Sequence, residues 1–360
     1  GTGGYVKVGR KGNAKWNFSE TFTWSSPGFD LNDMGYMKET DYLMNETEIM
    51  YRQTDIWKIF RYNAFTLSQK NMWNYGGTPF SNNASLRWQS MTMNRYEWDV
   101  KETFAWNWLD SRLLRGGPDV RFGSYFLTSA KFNTDKAKRM MFMLKYEGDH
   151  NFEGNRFNTI SPSLTFRLGN HVYLSGQLDY AWNTDEMQYV ATTSPLSSSS
   201  LAPYYYVMGH MDQKTYGLTL KLQVNVTPDI SIQFYGAPFT SIAKYDDFKL
   251  AADTKSHTFE NRFQRIDPDQ LTYADGVYTI GEGAGQMPFR NPDFRFNEFR
   301  SNLVARWEYL PGSTLYFVWE HRMSNRDNWY SSGWGSNLDR MWGLPATNTF
   351  MIKMNYWFNL

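Results

Sequence analysis

Histidines are the first residues to consider for catalysis, because their side chains exchange protons near neutral pH. The five histidines, His150, His171, His210, His257 and His321, are isolated from one another in the sequence. No HExxH, GxSxG or paired cysteine and histidine spacing occurs. We therefore predict no catalytic residue, no cofactor and no metal ligand. A hydrolase with a serine and a histidine on neighbouring strands stays open as an alternative.

An acidic cluster in the longest predicted loop is the one candidate for cation binding. Asp267, Pro268 and Asp269 precede Asp275 and Gly276, and their oxygens could ligate Ca²⁺. The spacing is not that of a known calcium loop. We favour a turn-forming cluster, because Asp, Pro and Gly are typical turn residues.

A second loop carries two arginines and an aspartate around a glycine-rich turn. Arg112, Arg115 and Asp119 flank the segment Gly116–Pro118. The guanidinium groups could contact an anionic or hydroxyl-rich ligand. Alternatively, they pair with nearby carboxylates and brace the loop. We favour the bracing interpretation and keep all three residues as candidates for ligand contact.

Other polar candidates recur at alternate positions of extended segments. A β-strand points successive side chains to opposite faces, so these residues are predicted to share one face of a sheet. In a barrel this face would line the lumen and contact a solute, and in a soluble sandwich it would meet water. The residues are Arg167, Asp179, Lys221, Gln223, Arg306, Glu308 and Glu320.

Strands must position these residues, and the clearest pair runs from Leu164 to Trp182. Apolar side chains alternate with polar ones on both sides of Gly169 and Asn170, which is a strong hairpin signal. The same rhythm predicts about fifteen strands. They lie at Gly4–Gly9, Lys15–Trp24, Tyr42–Arg52, Lys58–Met72, Ser85–Met93, Glu97–Trp108, Val120–Lys131 and Lys138–Asp149, and begin near Arg156, Val172, Tyr204, Ile230, Phe296, Thr314 and Thr347.

The final segment, Thr349–Leu360, is predicted to be a closing strand with one apolar face. Its opposite face is mostly polar, whereas helical spacing would put Lys353 and Asn355 among the apolar residues. The strand fits either the last strand of an outer-membrane barrel or that of a soluble sandwich. Its predicted lipid-facing residues are Phe350, Ile352, Met354, Tyr356, Phe358 and Leu360.

The composition favours a membrane barrel over a soluble sandwich. Of 360 residues, 18% are aromatic and 41% are hydrophobic, yet the mean hydropathy is −0.61. Membrane barrels combine aromatic girdles with a polar interior. No run of 18 apolar residues occurs, so no transmembrane helix is predicted. The net charge of +1 argues against a nucleic-acid partner, and the absence of cysteine excludes disulfides.

The predicted connections fall into two classes that alternate along the chain. Short connections on one rim and long loops on the other are typical of outer-membrane barrels. The short class is Arg10–Asn13, Thr54–Trp57, Asn133–Lys136, Gly169–Asn170, Thr227–Asp229 and Leu310–Ser313. The long class is Ser25–Thr40, Leu109–Asp119, Thr184–Ala202, Asp246–Asp293 and Asn325–Ala346.

Single-chain bacterial barrels have even strand numbers, whereas about fifteen strands are predicted here. At least one further barrel strand is therefore expected upstream of residue 1. We therefore expect residues 1–360 to be one domain, the C-terminal part of a larger transmembrane antiparallel barrel (all-β).

Four stretches resemble one protein family: Trp24–Tyr36, Arg112–Pro118, Ser231–Phe239, and Asn291–Phe294 with Arg306–Trp319. The family is the barrel domain of unknown function that follows a family-nine-like carbohydrate-binding module in Bacteroidota proteins. The resemblance implies a barrel in the cell outer membrane, with further strands and that module upstream.

These expectations lead to a ranked set of functions. The first is a non-enzymatic outer-membrane protein that passes or handles a solute or glycan at the cell surface. The second is a non-conducting scaffold that presents long loops to a protein or glycan, and the third is a barrel hydrolase. Expected partners are outer-membrane lipid, the missing N-terminal strands, the barrel-assembly machinery during insertion, surface glycan or associated outer-membrane lipoproteins, and no nucleic acid.

Overall fold

The computed structural model describes residues 1–30, 40–106, 108–196, 203–327 and 334–358. It is all-β, with 69% of residues in strands and one large antiparallel sheet of 16 strands. Within the described residues, no helix has the length and apolar character needed to cross a membrane.

The strands alternate in direction along the chain. Their bounds are β1 Gly3–Arg10, β2 Trp16–Ser25, β3 Tyr42–Gln53, β4 Phe60–Trp73, β5 Pro79–Thr92, β6 Glu97–Trp106, β7 Trp108–Asp110, β8 Val120–Phe122, β9 Tyr125–Asn133, β10 Met140–Asn151, β11 Arg156–Leu168, β12 Val172–Thr193, β13 Tyr205–Asn225, β14 Ile230–Ala251, β15 Phe263–Arg265, β16 Leu271–Ala274, β17 Val277–Ile280, β18 Met287–Arg290, β19 Phe294–Leu310, β20 Ser313–Asp327 and β21 Thr347–Asn355.

The large sheet follows the order of the chain. Its path is β1-β2-β3-β4-β5-β6-β9-β10-β11-β12-β13-β14-β19-β20-β21, and β15 pairs with β14. Among the described residues, β1 and β21 each pair with one neighbour only, so the sheet is not closed. A second hairpin (β7 and β8) and a small sheet (β16–β18) lie outside this path.

The predicted hairpin from Leu164 to Trp182 is present. β11 pairs with β12 so that Leu168 lies opposite Val172 and Leu164 opposite Gly176. Two other predicted strands differ. The strand predicted at Ser85–Met93 begins earlier, at Pro79, and the one predicted at Val120–Lys131 is divided, because Val120–Phe122 pairs with β7 in a separate hairpin.

One rim of the sheet carries only short connections, which we call the short-turn rim, and the other is the long-loop rim. Four predicted long loops contain regular structure, including Leu109–Asp119, where β7 extends to Asp110. β12 continues to Thr193 through two bulges that break the period-two pattern, and β14 continues to Ala251. The segment 252–293 contains β15–β18. Two long-loop-rim connections, 74–78 and 152–155, are short, and most of the predicted loop Ser25–Thr40 lies outside the described residues.

The hydrophobic core lies at the long-loop rim, in a layered part that we call the head. The head comprises residues 108–122, 185–193, 205–212 and 244–290, so the ends of β12, β13 and β14 form its middle layer. One cluster joins Met211, Tyr245, Ile280 and Phe289. A separate cluster joins Leu114, Val120, Met187, Met208 and Phe263. We call the rest of the large sheet the band.

A short helix, α1 (Trp334–Trp342), packs on the band near the long-loop rim. Its Asn337 and Met341 are fully buried, and Trp342 lies 4.9 Å from the Phe299 ring between centroids. The predicted loop Asn325–Ala346 therefore contains a helix, with residues 328–333 outside the described part.

The closing strand is shorter than predicted. β21 ends at Asn355, so Tyr356 and Phe358 follow the strand, and Leu360 lies outside the described residues. Phe350, Ile352 and Met354 lie opposite Trp319, Phe317 and Leu315 of β20. These three pairs place the predicted apolar face of β21 on the same side as that of β20.

Candidate functional site: the polar face of the band and the head

The sheet register brings the predicted polar candidates of neighbouring strands onto one face. Tyr173 lies opposite both Arg167 and Gln223. In the same way, Ser175 lies opposite Lys221 and Ser231 opposite Arg306. Asp179, Glu308 and Glu320 lie an even number of residues from these positions, or opposite such a residue, and so point to the same side of the sheet. All seven predicted residues therefore lie on this polar face.

Three of these seven residues contact the short-turn rim. Arg167 donates to the Lys136 carbonyl oxygen at 3.1 Å. Glu308 pairs with Arg306 and also accepts the Gly312 N–H at 3.1 Å. These contacts hold the turns in place, and so Arg167, Arg306 and Glu308 act locally as structural residues.

The other candidates point along the open part of the face. Asp179 accepts a hydrogen bond from the Ser161 hydroxyl at 2.6 Å and another from the Gln177 amide at 2.9 Å. Lys221, Gln223 and Glu320 are exposed. Among the described residues, no ion pair includes Lys221 or Glu320.

The sequence did not single out several ion pairs on the polar face. Arg87 holds Asp99 with two hydrogen bonds, the Nε–Oδ1 one at 2.8 Å, and Lys145 pairs with Glu147 at 2.7 Å. Glu298 accepts from Arg300 at 2.8 Å and from Arg322 at 2.9 Å. The alternating charges of the predicted strands indicated a charged face. The partners of each ion pair could not be predicted, because they depend on the register between neighbouring strands.

The loop with Arg112, Arg115 and Asp119 is part of the head and contacts its other segments. Asp119 pairs with Lys255 at 2.7 Å, and its carbonyl oxygen accepts from Thr254 at 2.7 Å. The Arg115 guanidinium lies 4.6 Å from the centre of the Tyr189 ring. Arg112 and Arg115 are both exposed. Among the described residues, neither Arg112 nor Arg115 pairs with a carboxylate, whereas Asp119 and Arg115 both contact neighbouring segments of the head.

A buried arginine joins three segments of the head. Arg262, only 1% exposed, binds both carboxylate oxygens of Glu153, at 2.9 and 2.8 Å. It also donates to the carbonyl oxygens of Arg121 at 2.7 Å and Ser256 at 2.8 Å. A buried guanidinium with this many acceptors fixes the geometry of its neighbours, so Arg262 ties the head to the 152–155 turn.

The small sheet β16–β18 covers the polar face at one end. Met211 and Tyr245 lie opposite each other on this face, and Ile280 and Phe289 pack against them. Access to the polar face from the long-loop rim is therefore restricted beside β13 and β14.

Burial perturbs two carboxylates in and beside the head. It raises the pKa of Asp185 above its ordinary value, although the carboxylate accepts the Met187 N–H at 2.9 Å. Burial also raises the pKa of Asp293, which accepts the Tyr245 N–H at 2.7 Å. Both groups bond backbone N–H donors, as expected for residues that order a turn.

Three of the five histidines, His150, His210 and His321, contact polar side chains on their own or neighbouring strands. His150 lies 2.8 Å from the Asn158 amide oxygen, and His321 lies 2.9 Å from that of Asn348. His210 contacts Glu186 at 3.1 Å and, more distantly, Asp212 at 3.6 Å. In the described part of the chain, no group of three or more His, Asp or Glu is arranged to hold a metal ion.

The opposite face of the band is apolar and exposed. Ile49, Leu67 and Leu86 are neighbours in register on three strands, and they are 43%, 55% and 57% exposed. Aromatic contacts form one row near the short-turn rim and another near the long-loop rim. Their ring-centroid distances include 4.9 Å for Trp16–Tyr51 and 4.4 Å for Trp98–Phe132 in the first row, and 5.1 Å for Phe104–Phe126 and 4.9 Å for Tyr180–Tyr216 in the second.

Glu20 and Glu102 lie within this apolar face, and each has a hydrogen-bond partner. Glu20 accepts from Asn45 and from Thr47 at 2.6 Å. Glu102 accepts from Thr128 at 2.7 Å. The pairs keep both charges bonded to the neighbouring strand.

Comparison with known proteins gives one result. No curated protein sequence and no solved structure matches the chain. The family model described as "Domain of unknown function (DUF5916)" matches residues 1–360. The chain therefore belongs to the DUF5916 family.

Proposed function

We propose that this chain forms most of a β-barrel in the bacterial outer membrane, and that its polar face lines a path for a solute or glycan. The observation that carries the proposal is the exposed apolar face of the band, bordered by two aromatic rows. In a membrane barrel such a face contacts the hydrocarbon, and the aromatic side chains lie at the two interfaces.

The distribution of buried residues supports a membrane over a soluble sandwich. A sandwich covers the apolar face of one sheet with a second sheet. Here a second layer is present in the head and, locally, at α1. Side chains such as Leu67 and Leu86 stay more than half exposed, and a continuous apolar surface of this kind marks a membrane or protein contact.

Closure of the barrel requires strands beyond those described. Both outer edges of the sheet, at β1 and β21, lack a partner among the described residues. An open edge is not tolerated in hydrocarbon, because its N–H and C=O groups have no water to bond. We assign the missing partners to further strands of the same protein, which complete an even-numbered barrel inserted by the assembly machinery.

The polar face supports a solute path because it carries charges of both signs and many hydroxyl and amide groups. Water hydrates a mixed surface of this kind, and conduction requires that a solute bind weakly enough to leave. The resemblance to proteins with a carbohydrate-binding-like module makes a glycan the solute class that we favour. No residue is assigned a catalytic role.

A conductance measurement on the full-length protein in planar bilayers tests this proposal. We expect discrete conductance steps, and Lys221→Glu should shift ion selectivity toward cations because it reverses a free charge on the polar face. Leu220→Gln, at the neighbouring position on the apolar face, is the matched control and should leave selectivity unchanged. Silent bilayers with a correctly folded protein would reject a permanently open solute path.

One observation favours a second function, a non-conducting scaffold. The sheet β16–β18 and its buried contacts with Met211 and Tyr245 cover part of the polar face. A barrel closed at that end would present the head to a protein or glycan partner. Silence of both the native protein and a variant lacking residues 267–290 would favour the scaffold, whereas conductance restored by the deletion would favour a gated path.

A further inference from the structure

A groove between two turns of the short-turn rim combines apolar walls with two cations. It lies between the turns 93–96 and 134–139 and has a volume of about 450 Å³. Met93, Tyr96, Met140 and Phe142 line it and are 51%, 40%, 57% and 36% exposed. These exposures mean that no other part of the described chain covers the apolar walls.

The apolar walls continue the aromatic row of the band. The Tyr96 ring lies 5.8 Å from that of Phe132, which in turn is 6.5 Å from Phe142. Phe132 also contacts Trp98 at 4.4 Å. The groove therefore adjoins the aromatic row near the short-turn rim, which we assign to the membrane interface.

Two cations lie at the mouth of the groove and pair with no carboxylate among the described residues. Arg95 occupies a turn position with φ of 61°, which is unusual for a residue with a side chain, and Lys138 lies on the facing turn. Lys136, two residues earlier, differs because it pairs with Glu97. Arg95 and Lys138 are therefore both available to pair with an anionic ligand.

The one carboxylate in the groove is buried. Asp135 is 8% exposed and accepts the Ala137 N–H at 2.9 Å, while its carbonyl oxygen accepts the Lys138 N–H at 3.1 Å. Its role is to shape the turn that presents Lys138. The connections of this rim carry seven Lys or Arg residues against three Asp residues, so the surrounding potential favours anions.

We infer that this groove binds an anionic glycerophospholipid of the membrane. Its phosphate would lie between Arg95 and Lys138, and the first methylenes of an acyl chain would pass over Met140 and Phe142. Basic residues beside an apolar surface attract anionic lipids in this way. An acidic peptide could also pair with the two cations. It would, however, have to displace lipid from the apolar walls, which continue the lipid-facing aromatic row.

This inference rests on the proposed membrane location, and the test separates the two. The probes are phosphatidylglycerol and phosphatidylcholine, titrated against the full-length protein in dodecyl maltoside and counted by native mass spectrometry. The native protein should bind phosphatidylglycerol at least tenfold more tightly than phosphatidylcholine. The double variant Arg95→Gln/Lys138→Gln should lose about fivefold in affinity for each cation removed.

The matched control is Lys11→Gln/Lys58→Gln, which removes the same charge from the same rim outside the groove. It should change phosphatidylglycerol affinity by less than about twofold. Equal losses in the two double variants would overturn the groove in favour of diffuse attraction, and no loss in either would overturn it altogether. Membrane insertion is measured separately by vesicle flotation after carbonate extraction. Failure there rejects the proposed function, whereas normal insertion with no lipid preference rejects only the groove.

Discussion

The head and the band share the long strands β12, β13 and β14, but apolar side chains are buried in the head and exposed in the band. In the head, layers cover both sides of β12, β13 and β14, and Met187 and Met208 are fully buried. In the band, Leu220 on β13 remains 40% exposed although it belongs to the same strand as Met208. In the head, protein covers the side chains of β13. In the band, lipid covers its apolar side chains in the proposed barrel.

The charges differ between the two regions in the same way. The Arg262 side chain in the head is 1% exposed, and its Glu153 partner is 12% exposed. At the short-turn rim, Lys15 and Asp55 are 62% and 73% exposed although they also form an ion pair. A buried pair depends on both partners, because a single charge left behind has no water to solvate it. The head should thus be sensitive to changes that the rim tolerates.

The largest expected effect is at Arg262. Arg262→Ala should lower the stability of the head by about 3–5 kcal/mol, because Glu153 would be left without its partner. Hydrogen exchange followed by mass spectrometry in detergent should show lost protection in residues 108–122 and 252–265 and unchanged protection in β3–β5. Lys15→Ala is the matched control and should leave the exchange pattern unaltered. Equal responses of the two variants would remove the distinction between head and rim.

The next effect concerns packing along β13. Met208→Ala should cost about 2–5 kcal/mol, since the buried side chain leaves a cavity among Leu114, Val120 and Met187. Leu220→Ala should cost at most about half as much, because lipid or detergent closes around the smaller side chain and leaves no cavity. Both are measured by the urea midpoint of tryptophan fluorescence. A larger loss at Leu220 than at Met208 would indicate a protein layer over the band.

A third effect tests the two faces of the band against each other. Leu220→Arg should destabilise the protein in phospholipid vesicles by about 2–4 kcal/mol, the cost of a cation at the lipid face of a barrel. Thr219→Arg, one position away on the polar face, should cost less than about 1 kcal/mol because water can solvate the charge. The measurement is the free energy of folding into vesicles by urea titration. Similar costs at both positions would mean that the faces meet the same medium.

The smallest effect is a pH dependence confined to the head. Partial burial lowers the pKa of His210, but attraction to Glu186 and Asp212 outweighs it and raises the pKa above its usual 6.5. Because the folded-state pKa is raised, the resulting stability is fully present below pH 6.5 and is lost as pH rises through the folded-state value. Solvent screening keeps the effect under about 1 kcal/mol.

His210→Asn is the variant that tests this pH dependence. Hydrogen-exchange protection of residues 205–212 in the native protein should be greater at pH 6 than at pH 8, after correction for the intrinsic rate. The variant should lose this difference. A pH dependence that persists in His210→Asn would assign it to another group.

The band was predictable from sequence because its two faces differ at every second residue. Leu164–Leu168 and Val172–Trp182 alternate without interruption, and the structure pairs them as expected. The apolar face of β21 was predicted for the same reason, and only its end at Asn355 was placed too late. Alternation is a local property, so a single chain is enough to identify it.

The head was not predictable because its sequence signals conflict with its structure. Bulges between Asp185 and Gln188 and between Tyr189 and Ala191 break the alternation of β12, so this stretch was predicted to be a loop. Arg262 and Glu153 are far apart in the sequence and occupy segments without regular alternation. Their contact depends on how distant loops pack, which neither composition nor periodicity encodes. The groove at Arg95 and Lys138 was missed for the same reason.

The most direct test of the proposed membrane barrel measures which side of β13 faces lipid. The chain contains no cysteine, so each single substitution carries one spin label: Leu218→Cys, Thr219→Cys, Leu220→Cys, Lys221→Cys, Leu222→Cys and Gln223→Cys. Power saturation in lipid vesicles compares collisions with oxygen, which concentrates in hydrocarbon, and with a water-soluble nickel chelate. If the even-numbered side chains of this segment of β13 face lipid, labels at 218, 220 and 222 favour oxygen and labels at 219, 221 and 223 favour nickel. Equal access at all six positions, or nickel access at 218, 220 and 222, would exclude this orientation.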